Sequence, residues 1–289
     1  MPINIHSTNW IWLNHEVMQR IGVQAPDTWD DLLSVLEQAK IAGVIPLAMG
    51  DAAGQHMLLF ESVAAGAGGV DFYRRVFMDL QLTSQDVGTL KEVFARMSAL
   101  RGYIGPLENS LSWSQSNSLV RSGRALMQVQ GSWVVGEFRH YGLVPSQDYM
   151  CSRFPDTQGM VLFNSDQIVL FDDAADVATQ DKFASILMSV AMQHDINIVT
   201  GSAPARVDIP MTGYSLCGQQ GIRDVRAGNM RRTLLESIAM SGANPNSPKH
   251  ALYPVVTAHL RGEITGQQAL VSLLDAIRGA YVHSSMRTE

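Results

Sequence analysis

Residues 4–14 read NIHSTNWIWLN, a run with two tryptophans one residue apart and neither glycine nor proline. Positions 3–13 alternate strongly enough for a β-strand, and the apolar WIWL within them predicts one that is buried. HEVMQRIG, 15–22, follows at once as a short helix. Nothing ahead of this run reads as the first turn of a small domain.

Outward from it, DTWDDLLSVLEQAK (27–40) sets Thr28 and Asp31 at capping-box spacing before Leu32, Leu33, Val35 and Leu36, which predicts a helix. GVIPLAM, 43–49, predicts a short strand. GQHMLLFESVAAGAGG, 54–69, predicts a helix stopped by its glycines, and 84–100 a longer amphipathic helix. SLVRSGRALMQVQGSW, 118–133, predicts a helix, a stop at Gly123, a strand, and a glycine turn into the helix WVVGEFRHYG. GMVLFNSDQIVLF, 159–171, is the most strand-like stretch, and TQDKFASILMSVAMQ, 179–193, predicts one amphipathic helix. Residues 214–227, 248–261 and 265–280 predict helices, the last with Thr265 and Gln268 at capping-box spacing. Short strands scattered among many helices indicate an α/β class in which helices predominate.

The 289 residues are 46% hydrophobic with a mean hydropathy of +0.03, enough to bury a sizeable core in one large domain or two smaller ones. A net charge of −6 without a basic stripe argues against nucleic acid as a partner. No segment reaches the roughly 18 uninterrupted apolar residues of a membrane helix. The first residues show no basic stretch followed by an apolar one, the pattern of a signal peptide.

The usual catalytic and metal motifs are missing: no HExxH, Walker loop, GxSxG or CxxC occurs. GAGG at 66–69 follows a helix and reads as a helix stop, not a dinucleotide loop. The adjacent carboxylates Asp30-Asp31 and Asp172-Asp173 read as solvated, and the histidines are dispersed. No cofactor, metal or enzymatic role is expected. Cys151 and Cys217 are too few for a disulfide framework; two buried thiols and one long-range bridge both remain open on composition. Tryptophans beside turns carry more information. Trp113 stands at a helix start and Trp133 just after a glycine turn. A half-exposed indole offers a flat apolar face and one N–H donor, which suits the C–H faces of sugars. With FNSDQ (163–167) at a strand end, these residues point to a small polar ligand.

NIHSTNWIWLN, APDTWDDLLSVLEQAKIAGVIPLAMG, HMLLFESV, LSWSQS, ALMQVQGSWVVGEF, FNSDQ, GSAPARVD and the CGQQ-to-DVRAG stretch follow one another at suitable spacing. In this order they resemble the family 1 extracellular solute-binding proteins of sugar ABC transporters, the glucose/mannose-binding group in particular. The resemblance implies two α/β lobes of a type II periplasmic-binding-protein fold, with a sugar held between them and no chemistry performed. It begins where such proteins first cross to the second lobe. The chain is therefore expected to be a helix-rich second lobe (1–165 and 201–289) with a remnant of the first (166–200), truncated and weakened in binding.

By resemblance, the sugar-binding candidates are Trp113 of LSW, Trp133 of a GDW-like motif, Asp166 of an SDS-like motif, and His6 and Asn9 of the hinge strand. Three positions depart from the pattern: Ser132 replaces an aspartate, Thr200 a lysine, and Ser241-Gly242 a histidine-glycine. Cys151 and Cys217 stand where related periplasmic proteins carry cysteines that pair. Implied partners are the sugar and a membrane permease. The apolar side of 179–193 (Phe183, Ile186, Leu187, Val190, Ala191) would also need a second copy or a separate first lobe. The family is periplasmic, whereas a start at Met1 without a leader would leave the chain in the cytoplasm. The competing expectation is a repurposed interaction lobe that no longer binds sugar.

Overall fold

The run 4–14 forms two strands, not one: β1 (Asn4–Ser7) and β2 (Trp10–Asn14) lie in different sheets. The crossing is Thr8-Asn9, where the Thr8 N–H donates to the Leu162 carbonyl (2.8 Å) and the Asn9 carbonyl accepts from Phe154 N–H (3.0 Å). Two of the backbone groups at the change of sheet are thus paired across it. β2 is buried on both faces. Its period of two sends Ile11 and Leu13 into the main core, and Trp10 and Trp12 into a second cluster with Val134, Val135, Phe138 and Tyr149.

The computed structural model describes residues 1–105, 111–171, 176–240 and 247–286. After β2 come α1 (His15–Ile21), α2 (Trp29–Ile41), β3 (Ile45–Leu47), α3 (Ala53–Tyr73) with a π-helical turn at Arg74–Met78, and α4 (Ser84–Arg101). Next are α5 (Trp113–Arg121), β4 (Ala125–Gln130), α6 (Val134–His140), β5 (Tyr149–Arg153) and β6 (Val161–Asn164). Then follow α7 (Val177–Leu187), α8 (Val190–Thr200), β7 (Ala203–Pro204), α9 (Leu216–Arg231), β8 (Leu234–Glu236), α10 (Lys249–Arg261) and α11 (Gly266–Met286). The sheets run β7-β1-β6-β8 and β3-β4-β2-β5. Helices α3, α4, α10 and α11 pack together over the main core.

Local chemistry explains several boundaries. Thr28 and Asp31 form the capping box of α2, Thr83 and Asp86 that of α4, and Thr265 and Gln268 exchange the same bonds before α11. Within α3 the helix expected over 54–69 does break at its glycines: Gly69 takes φ 74°, ψ −174°, a non-helical conformation open to glycine, and a second helical segment follows in which Phe72 and Tyr73 are drawn into the core. Two expectations need correction. The strand expected over 159–171 is regular only over 161–164, where β1 and β8 pair with it; after an interruption at Ser165 the chain meets residues 1–3 through an isolated Pro2–Gln167 bridge. Residues 179–193 are split between α7 and α8, since Ser189 caps the second helix through Met192 N–H (3.2 Å). Asp172-Asp173 and Ser241-Gly242 lie outside the described residues.

Candidate functional site

Strand alternation places Asn4 and His6 on one face of β1, with His6 opposite Asn164 of β6. Beyond β6 the chain turns back onto Asn4. Its side-chain amide donates to Asp166 Oδ2 (2.7 Å), its side-chain oxygen accepts from Asp166 N–H (2.8 Å), and its carbonyl accepts from the Ser165 hydroxyl (2.7 Å). Asp166 is therefore held at a fixed place while its side chain stays 57% exposed. His6 Nε2 stands 3.6 Å from Asp166 Oδ2, and Nδ1 lies 3.0 Å from the Ser132 hydroxyl. Burial lowers the His6 pKa below its ordinary value, against the opposing pull of Asp166.

Trp133 meets the His6 ring edge-on, with centroids 5.5 Å apart and planes at 71°. The turn before it demands glycine, because a Cβ on Gly131 would lie 2.2 Å from the indole. Trp113 is the first residue of α5, fixed by the capping box of Ser112 and Gln115, and is 38% exposed.

These four residues line one cavity of about 460 Å³, together with Gln55, Leu58, Ser112, Gln130, Asn164 and Met240. That volume lies within the usual range of small-molecule sites. The lining pairs aromatic faces with fixed acceptors: the Asp166 carboxylate and Asn164 Oδ1, which is buried without a partner. Such a set can stack an apolar face and accept from hydroxyls or amines.

Asn9 is not part of this site. Its amide donates to Thr157 (2.9 Å) and the Met160 carbonyl (3.2 Å), and its oxygen accepts from Leu162 N–H and Arg153 (both 3.1 Å). All of that capacity serves the sheet crossing. Ser132 occupies the position where an aspartate is expected and contacts His6. The Thr200 hydroxyl is engaged with the Ile196 carbonyl (3.0 Å) and Ser202 (2.6 Å). Sequence reasoning missed Gln55, Gln130, Asn164 and Met240 as individual residues; FNSDQ signalled the third, while Gln55 and Met240 arrive from distant segments.

A disulfide joins Cys151 of β5 to Cys217 of α9. A second cavity of about 390 Å³ lies beside it, where Arg153 and Asp224 satisfy each other at 2.7 Å beneath Trp10. Among the described residues no helix is long and apolar enough to cross a membrane.

The model of the family described as bacterial extracellular solute-binding protein matches residues 1–182. Proteins named probable sugar-binding periplasmic protein, from Brucella suis and Rhizobium meliloti, are 39% and 38% identical over 280 residues. Each alignment takes in 96% of this chain, and respectively 66% and 67% of the relative, so the chain spans about two thirds of the length of these curated relatives. Among solved structures, a chitin oligosaccharide binding protein superposes with a TM-score of 0.75 at 17% identity, over 98% of this chain and 72% of that one. The solute receptor AcbH, described with a preference for β-D-galactopyranose, gives 0.79 at 14% identity, over 100% and 72%. At such identities the structures speak to the fold, the mixed α/β type II fold of periplasmic sugar-binding proteins. The chain belongs to the bacterial extracellular solute-binding protein family, a family of transporter binding components and not of enzymes.

Proposed function

We propose that the chain is a sugar-capturing component of an ABC importer, which holds a monosaccharide of the glucose or mannose class between Trp113 and Trp133 and passes it to a membrane permease. One observation carries this reading: both indoles, His6 and Asp166 line a single cavity. Sugar C–H faces would stack on the indoles while hydroxyls donate to Asp166 and Asn164, the first a charge-assisted bond stronger than a neutral one. Capture involves no bond-making chemistry. The disulfide supports work in an oxidising compartment such as the periplasm.

The proposal includes a division of the chain, with 1–165 and 201–289 as the second lobe and 166–200 as the remaining part of the first. A sugar held from one side competes with water for each hydroxyl, so the expected affinity is weak, with a Kd of about 1 mM. Isothermal titration of the full chain with glucose, mannose and xylose tests this. Weak saturable heat that disappears in Trp133→Ala supports it, and micromolar binding of any of the three overturns the weak-binding claim. A second reading, an interaction lobe without sugar binding, draws on the exposed apolar side chains Phe183, Ile186 and Val190. Absence of heat with every sugar would favour it.

A further inference from the structure

Building on the sugar-binding reading, we infer that the cavity selects a cationic amino sugar, a hexose bearing a protonated amine, over neutral hexoses. The charge inventory of the lining points there. Asp166 is the one carboxylate among the described residues that line the cavity, and no lysine or arginine lines it with them. The internal segments outside the description, 106–110, 172–175 and 241–246, contain neither residue. Thr200, at a position where the resemblance expects lysine, is uncharged and engaged with Ile196 and Ser202. His6 is the other titratable side chain that lines the cavity among the described residues, and its burial favours the neutral imidazole.

Asp166 therefore faces the cavity with a neutral hydrogen-bond donor, the Asn4 amide, and a side chain that is 57% exposed. A ligand that covers this exposed carboxylate leaves it to be compensated by whatever the ligand carries. A hydroxyl offers one donor and no charge. An ammonium offers three donors and a full opposite charge. Two further features favour the same group. The faces of Trp113 and Trp133 attract cations through their quadrupoles. Asn164 Oδ1, buried and unpartnered, adds a second acceptor to the wall.

The test is isothermal titration of the full 289-residue chain at pH 6.5 with glucosamine, glucose and N-acetylglucosamine, at low salt and at higher salt. The expected result is glucosamine binding at least about tenfold more tightly than either neutral sugar, with the margin shrinking as salt rises. Asp166→Asn, which retains an oxygen for the Asn4 amide, should bring the glucosamine-to-glucose ratio to about one. Equal or tighter binding of glucose overturns the amine preference and leaves the sugar-binding reading standing. A preference for glucosamine that is untouched by both salt and Asp166→Asn overturns the role of Asp166. If none of the three sugars binds, both readings fail together.

Discussion

Glu61 shows how much a single side chain can hold together. It lies fully buried in α3 and accepts from the Thr8 hydroxyl (2.6 Å), the Ser237 hydroxyl (2.8 Å) and the Ala239 N–H (3.0 Å). It thereby ties the sheet crossing to the segment that leads to Met240 in the cavity wall. Every donor is neutral, and burial raises its pKa from 4.5 to about 7. A carboxyl whose folded-state pKa lies above its unfolded one binds its proton more tightly in the fold. Its contribution to stability is therefore full below about pH 4.5 and is lost as pH rises toward 7, a span on the order of 3 kcal/mol. Glu61→Gln should flatten this part of the stability profile, as urea unfolding at pH 5, 6 and 7 would show. A stability advantage of Glu61→Gln over the wild type that fails to grow with pH across that window contradicts the assignment. At the same scale, Gly131→Ala should push the Trp133 indole off the turn, at a cost of roughly 1–3 kcal/mol, with a changed near-UV tryptophan spectrum and loss of sugar response.

Between elements, the Cys151–Cys217 bridge closes a loop of 66 residues and fastens α9 to β5, beside the cluster of Trp10, Trp12 and Phe138. Replacing both cysteines by serine should lower unfolding free energy by about 2–4 kcal/mol in denaturant titrations. Added reductant should bring the wild type down to the variant and leave the variant unchanged. The capping boxes of α2 and α11 were legible from residues three apart, because each partner lies within its own first turn. The break at Ser189 was also locally encoded, since serine competes for a helix start, but the apolar periodicity across 179–193 hides it. The stop at the 66–69 glycines was legible too, since Gly69 breaks the helical backbone there; the short helical segment beyond it, with Phe72 and Tyr73 in the core, was not.

Across the molecule, several large apolar side chains of 169–186 are left exposed. Val169, Phe171, Val177, Phe183 and Ile186 are each about half exposed or more, and α7 buries a single side chain, Leu187. α8 is held to the start of β1 chiefly through polar groups: Asn197 donates to the Ile3 carbonyl at 3.0 Å and Gln193 to the Pro2 carbonyl at 3.4 Å. An apolar surface of this kind favours association. Sedimentation velocity should show mass rising with concentration, and Phe183→Ser with Ile186→Ser should abolish the rise without lowering the melting temperature. A monomer at all concentrations would remove self-association.

The sequence by itself determined the α/β class, the caps, the stop at Gly123, the buried character of WIWL and the placing of Trp113 and Trp133 beside turns. Each of these depends on neighbours within a few residues. Tertiary structure decided what those neighbours could not. It broke NIHSTNWIWLN at Thr8-Asn9 to feed two sheets, and spent Asn9 on that crossing instead of on the cavity. It kept the 159–171 strand regular only over 161–164, where β1 and β8 pair with it. It also brought Gln55, Asn164 and Met240 to the same wall as His6 and Asp166. Pairing and burial are set by residues far apart in the chain, so their outcome cannot be read from any one stretch.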